Sequence, residues 1–121
     1  MTVYVKKEKN TTLEKGVNNL MNAMIEDYTG MSRGYSFAMD RKNEMQKRYV
    51  EGLVATKGKK YWKIIQDDSA TSFIVAVDDD KRFKKGDILM AASWNAPARN
   101  RARGNVIDGG YGINWTGAEY L

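Results

Sequence analysis

An amphipathic helix near the N-terminus is the feature that most constrains how this chain can fold. Apolar residues recur at helical spacing from Leu13 to Tyr28, with polar residues between them. Thr11 and Glu14 have the spacing of a capping box, and Gly30 predicts the C-terminal end. A helix with one apolar side must bury that side against another element. The predicted core residues are Leu13, Val17, Leu20, Met21, Met24, Ile25 and Tyr28.

A second, less regular helical pattern runs from about Ser36 to Leu53. Charged residues occupy much of its remaining surface, and Gly52 or Gly58 is expected to interrupt it. Its candidate core residues are Phe37, Ala38, Met45, Tyr49 and Leu53.

The second half of the chain changes to strand patterns. Tyr61–Ile65 and Ser72–Val77 are short and rich in β-branched and aromatic residues, and the DDSA stretch near Asp67 predicts a hairpin turn between them. Alternation places Tyr61 and Lys63 on one face of the first strand, opposite Trp62 and Ile64. A third strand is predicted over Ile88–Ala92, and the glycine-rich tail is expected to return to the core through Trp115.

This order predicts an α+β fold in one domain, residues 1–121. Two N-terminal helices would pack on one face of a small, mostly antiparallel sheet of three to four strands. Pro97 favours a short helix after the third strand, ending at Gly104, and an extended loop is the alternative. The other face or an edge of the sheet would stay available, a surface that homo-oligomers commonly use.

Missing residue types exclude several classes of activity. The 121 residues include no cysteine and no histidine, so serine–histidine triads, cysteine–histidine dyads and ordinary zinc sites are excluded. The Asp78–Asp80 run and Asp87 stand among lysines and arginines that oppose a bound cation, and we predict neither metal nor cofactor. No pair of acids has a recognisable acid–base spacing, which favours a non-enzyme. No apolar run approaches the ~20 residues of a membrane span, and no signal segment is expected.

The positive charge of the chain is concentrated in one window. The formal net charge is +5; residues 81–103 contain seven bases and one acid, whereas the other residues contain 13 bases and 14 acids. Such a window attracts anionic partners. Its bases are Lys81, Arg82, Lys84, Lys85, Arg99, Arg101 and Arg103.

Within this window, residues 94–105 combine groups that recognise nucleotides. An indole stacks on a base, guanidinium groups pair with phosphate, and asparagine amides read base edges. Equally, Trp94 could belong to the core, Pro97 could set a turn, Asn105 could cap a loop, and the arginines could be solvated or pair with Asp78–Asp80. Lys57, Lys59, Lys60 and Lys63 could extend a basic surface, although a half-buried strand also explains their spacing. The predicted ligand-binding residues are Trp94, Asn95, Arg99, Arg101, Arg103 and Asn105.

Three short motifs carry a resemblance to a known group of proteins: W-x-x-P-A-basic at 94–99, R-G-N at 103–105 and W-T-G-A at 115–118. On these motifs the segment from about Tyr61 to Ala118 resembles a family of small, mostly uncharacterised proteins encoded by tailed bacteriophages. The extension Glu119–Leu121 departs from it. The resemblance implies a phage origin and a host-cytoplasm setting, and it implies no specific activity.

The leading hypothesis is a phage-encoded, non-enzymatic, homo-oligomeric accessory protein that binds a nucleotide or phosphate, sequestering a host defence signal. One alternative is a nucleic-acid-binding accessory protein that uses the whole basic window. Another is a protein–protein inhibitor of a host factor. A hydrolase that acts through aspartates and tyrosines is a further hypothesis, and it requires turnover of a nucleotide.

Overall fold

The computed structural model describes residues 3–32, 47–114 and 117–118, and in these ranges it is an α+β structure with antiparallel strand pairing. This confirms the predicted fold class. The elements are β1 (Val3–Val5), α1 (Leu13–Ser32), a helical segment over residues 47–52, β2 (Leu53–Lys57), β3 (Tyr61–Gln66), β4 (Ser69–Val75), β5 (Ile88–Met90), β6 (Tyr111–Asn114) and β7 (Gly117–Ala118). They form a four-stranded sheet of order β2-β3-β4-β5 and a three-stranded sheet of order β1-β6-β7.

Helix α1 packs its predicted apolar side into the main core. Leu13, Val17, Leu20 and Met24 are buried, and Met21, Ile25 and Tyr28 pack half-buried against them. The predicted ends were wrong by short distances. The cap is Thr12, whose Oγ1 accepts a hydrogen bond from the Lys15 amide at 3.1 Å. The helix also continues past Gly30, to Ser32.

The second helix lies in mid-chain and ends at Gly52, one of the two glycines expected to interrupt it. Residues 47–52 are helical, and Tyr49 is buried with its ring stacked 4.3 Å from that of Tyr28. Leu53 is buried as the first residue of β2, because the chain leaves the helix at Gly52 and enters the strand-forming sequence LVATK. Phe37, Ala38 and Met45 lie outside the described residues.

The four-stranded sheet contains the predicted hairpin. Asp67 and Asp68 form its two-residue loop with φ angles of 51° and 67°, the backbone of a type I′ turn. Trp62 and Ile64 face α1, as alternation predicted, while Tyr61 faces the opposite side, called here the outer face.

The outer face has its own small core, so the expectation of an open sheet face was wrong over β4 and β5. Phe73, Val75 and Leu89 pack there with Phe83, from the connection between β4 and β5, and with Ala102, from the connection between β5 and β6. These two connections cover part of the outer face, because folding back onto it removes their apolar side chains from water.

Residues 97–104 form no helix; they run beside the outer edge of β5. The Arg103 amide donates to Ile88 O at 2.7 Å, the Ile88 amide donates to Gly104 O at 2.8 Å, and the Ala98 amide donates to Met90 O at 2.7 Å. These bonds to another strand replace the intrahelical bonds of the predicted short helix. Strand β5 itself ends at Met90, two residues earlier than predicted.

The three-stranded sheet was not predicted. Val3 pairs with Ile113 and Val5 with Tyr111, and β7 pairs antiparallel with β6. Trp115 lies outside the described residues. Within the described ranges, no helix combines the length and apolarity needed to cross a membrane.

Candidate functional site

Two of the predicted ligand-binding residues, Arg99 and Trp94, each lie against a residue of β3. Arg99 Nη1 donates a hydrogen bond to the Tyr61 hydroxyl, and Lys63 Nζ lies 4.3 Å from the Trp94 ring centroid. Tyr61 and Lys63 point to the same face about 7 Å apart, given the rise of a strand. Arg99 and Trp94 therefore lie on the same face of the sheet, each against one of these two residues.

Arg99 is fixed on that face by Asp80. Its Nη2 lies 3.0 Å from Asp80 Oδ1, its Nη1 lies 3.0 Å from Asp80 Oδ2, and its guanidinium stacks 4.9 Å from the Phe83 ring centroid. The backbone amides of Arg82 and Phe83 also donate to Asp80 Oδ1. The Arg99 hydrogen bond, reinforced by these amides, holds the pKa of the Asp80 carboxyl well below its usual range.

A hollow of about 510 Å³ opens beside this ion pair. The side chain of Asp80 is only 2% exposed, and it is already paired with Arg99. A second cation, Lys60 Nζ, lies 3.8 Å from Asp80 Oδ2. Basic side chains outnumber acidic ones around the hollow, so its potential favours an anion. We call it the basic hollow; its walls are Lys59, Lys60, Val77, Asp79, Asp80, Lys81 and Arg99.

Trp94 is a surface residue of the outer face, not a core residue. Its side chain is 46% exposed, and the Lys63 ammonium covers part of one ring face. It borders a hollow of about 360 Å³ at the end of the β3–β4 hairpin, separate from the basic hollow. The exposed part of the indole can still stack on a flat ring.

Arg103 and Asn105 are buried, so they are not among the groups that a ligand on the outer face could contact. Asn105 Nδ2 donates to Lys85 O and to Asp87 Oδ1, each at 2.9 Å. Its Oδ1 accepts hydrogen bonds from two backbone amides, those of Ile107 and Asp108. Through these four bonds Asn105 stabilises the fold and acts as a structural residue. Arg103 is 8% exposed, and its amide bonds to β5.

The two remaining predicted residues, Asn95 and Arg101, are exposed. The Arg101 amide bonds to Asn100 Oδ1, and Arg82 Nη2 donates to the Asn100 carbonyl at 2.6 Å. These bonds order the backbone around Asn100 and leave the Arg101 side chain at the surface.

A family model described as a family of unknown function, DUF7717, matches residues 1–119. The chain belongs to this family. No curated protein and no solved structure matches it.

Two residues of the candidate site, Tyr61 and Asp80, were not among the ligand-binding residues predicted for this DUF7717 chain. Both residues position Arg99, and the alternation that placed Tyr61 on the same face as Lys63 was the signal that could have identified Tyr61.

A larger pocket, about 710 Å³, was also not predicted, because its walls come from segments that are distant in the sequence. The stacked rings of Tyr28 and Tyr49 border this pocket. Burial raises the pKa of the Tyr49 hydroxyl, and the nearby Asp27 adds a smaller effect in the same direction.

Proposed function

We propose that this DUF7717 protein is a non-enzymatic binding protein for an anionic, nucleotide-type ligand. The ligand would lie across the outer face, with its ring on Trp94 and its phosphates in the basic hollow. The observation that carries the proposal is the placement of Arg99 and Trp94 over Tyr61 and Lys63, alternate residues of one strand.

Lysines supply the attraction for phosphate. The charge of Arg99 is largely balanced by Asp80, so the exposed lysines of the hollow, Lys59, Lys60 and Lys81, are the groups that can turn toward an anion, Lys60 by leaving its 3.8 Å contact with Asp80. Lys63 lies between the hollow and Trp94, where it can contact a bridging phosphate or sugar. Lysine binds phosphate as a point charge and needs no bidentate geometry.

The chemistry of the hollow supports binding without turnover. A general base works best with a pKa near the operating pH, and the pKa of Asp80 is held far below that range by Arg99. The carboxylate is also committed to two backbone amides. In the phage-infected cytoplasm that the sequence resemblance implies, such a protein would sequester a nucleotide defence signal and leave it intact.

The test is calorimetric titration with ATP and with a cyclic dinucleotide, followed by chromatography of the recovered ligand. At least one of these nucleotides should bind and be recovered unchanged. Trp94→Ala and the double variant Lys60→Gln/Lys81→Gln should each weaken binding about tenfold or more.

Lys15→Gln is the matched control, since it removes one charge from the exposed surface of α1. It should leave affinity unchanged. The proposal fails if neither nucleotide binds, or if the outer-face variants bind as well as the control. Hydrolysed ligand would instead indicate an enzyme.

A polynucleotide-binding function is less well supported by the geometry. Lys84 is paired with Asp108 at 2.8 Å, Arg99 is paired with Asp80, and Arg103 is buried. The basic window therefore presents no continuous cationic stripe in the described residues. If the function is nonetheless polynucleotide binding, affinity for a short DNA duplex should fall steeply with salt, at about one power of salt concentration per phosphate contacted.

A further inference from the structure

The two edges of the four-stranded sheet differ in whether another segment of the chain pairs with them. The β5 edge is occupied, because the segment 97–106 bonds to Ile88 and Met90 along it. The β2 edge has no pairing strand among the residues that the structure describes. An unprotected edge strand is a ready template for pairing with another strand.

Two backbone hydrogen bonds at the ends of β2 determine which of its groups point outward. The Asp67 amide donates to Gly52 O, and the Gly58 amide donates to Tyr61 O, each at 3.0 Å. Antiparallel pairs alternate between bonded and non-bonded residues, so Gly52, Val54, Thr56 and Gly58 bond to β3. The N–H and C=O groups of Leu53, Ala55 and Lys57 consequently point away from the sheet.

We propose that β2 pairs with β2 of a second copy of this chain, antiparallel about a two-fold axis at Ala55. The three outward-pointing residues are evenly spaced around Ala55, so the edge is complementary to itself. Ala55 would exchange two hydrogen bonds with its own copy, and Leu53 would pair with Lys57 of the second copy on either side. Such a self-complementary contact is the isologous interface of a two-fold dimer.

The side chains between those residues fit the same register. Val54, 48% exposed, would face Thr56 of the second copy at a non-hydrogen-bonded position, where opposing side chains approach most closely. Both residues are β-branched and suit a strand. Pairing would therefore cover one of the large apolar side chains that the described monomer leaves exposed.

Charge also favours the antiparallel arrangement. In the antiparallel register Lys57, which is exposed, pairs with Leu53 of the second copy and faces no like charge. A parallel, in-register pairing would instead set Lys57 beside Lys57 and Lys59 beside Lys59. Opposite charges across strands stabilise pairing and like charges oppose it.

The dimer does not rest on the proposed ligand. Its two-fold axis would stand perpendicular to the sheet, so both outer faces would lie on the same side of one eight-stranded sheet. Oligomeric state and nucleotide affinity are separate measurements, and either proposal can fail while the other stands.

Sedimentation velocity over a concentration series tests the interface. The wild-type chain should sediment as a concentration-dependent dimer. Ala55→Pro removes an outward amide, and Val54→Lys places a charge beside the axis; each should weaken dimerisation by about tenfold or more. Circular dichroism should show folded variants, because neither substitution removes a bond to β3.

Tyr4→Lys is the matched control for Val54→Lys, since it also replaces an exposed apolar residue, 68% exposed, on a strand of the other sheet. A monomer at every concentration, a dimer indifferent to the β2 variants, or a dimer lost in Tyr4→Lys would overturn the proposal.

Discussion

Arg99 and Asp80 form a two-point ion pair, with Nη2–Oδ1 and Nη1–Oδ2 distances of 3.0 Å each. Because Asp80 also accepts the amides of Arg82 and Phe83, the pair ties the turn after β4 to the segment beside β5. Arg99 is thereby a fixed wall of the basic hollow, whose other basic residues are the exposed lysines Lys59, Lys60 and Lys81.

Acid should destabilise the protein partly through Asp80. A carboxyl whose pKa is lowered by folding stabilises the fold above its unfolded pKa, near 4, and that contribution is lost as pH falls through the lower folded value. Asp80→Asn should lower the urea midpoint at neutral pH and should lose less further stability than the wild type below about pH 4.

Asp108→Asn is the control for this effect. Its carboxylate has a lowered pKa through Lys84, but its side chain is 42% exposed and its ion pair links exposed groups. The midpoint at neutral pH should shift less than in Asp80→Asn. Equal shifts in the two variants would show that the Asp80 contacts are not the stronger ones.

Asn105 should matter for stability and not directly for ligand contact. Asn105→Ala removes four hydrogen bonds and leaves buried groups unpaired, at an expected cost of about 3 kcal/mol. Asn100→Ala, at an exposed position in the same connection, should change the free energy of unfolding by about 0.5 kcal/mol or less. Chemical denaturation compares the two, and similar costs would contradict a framework role for Asn105.

Gly16 should resist a substitution that usually stabilises a helix. A Cβ there would overlap the carbonyl oxygen of Val106 and lie 2.7 Å from its carbonyl carbon. Gly16→Ala should therefore cost about 2 kcal/mol through overpacking. Asn18→Ala, exposed on the same helix, should instead stabilise slightly, by roughly 0.5 kcal/mol. A stabilised Gly16→Ala protein would mean that α1 packs less closely on Val106.

The cap of α1 can be assigned by a pair of threonine substitutions. Thr12→Ala should cost about 1 kcal/mol, because the Lys15 amide loses its side-chain acceptor. Thr11→Ala should cost less than about 0.5 kcal/mol. Thermal unfolding of both variants measures the difference, and the reverse order would place the cap at Thr11 as its spacing to Glu14 suggests.

The elements predicted best are those specified by local patterns. The apolar spacing of α1 and the alternation of β3 each depend on neighbouring residues, as does the aspartate turn at 67–68. Strand β1 is only three residues long and pairs with Ile113, far along the chain, so no local signal marks it. Strand β6 lies in a glycine-rich stretch whose propensity for strand is low.

For the candidate site, the sequence identified the window and left two interpretations of its residues open. Trp94 and Arg99 lie on one face, whereas Arg103 and Asn105 are buried. The alternative interpretation holds for Asn105, whose side chain accepts the amides two and three positions later as in an Asx turn, and for Arg99, which pairs with Asp80. Local spacing could not decide between the two interpretations, because the Arg99–Asp80 contact depends on the chain folding back.

The pairing of β1 with β6 has a consequence for biosynthesis. Val3–Val5 leaves the ribosome long before Tyr111–Ile113, yet each strand is the other's hydrogen-bonding partner, and both contact α1. The first strand must therefore remain unpaired while the intervening residues are translated, with the apolar side of α1 only partly covered. Completion of this fold is a late event on the ribosome, and chaperones have their best opportunity to act before it.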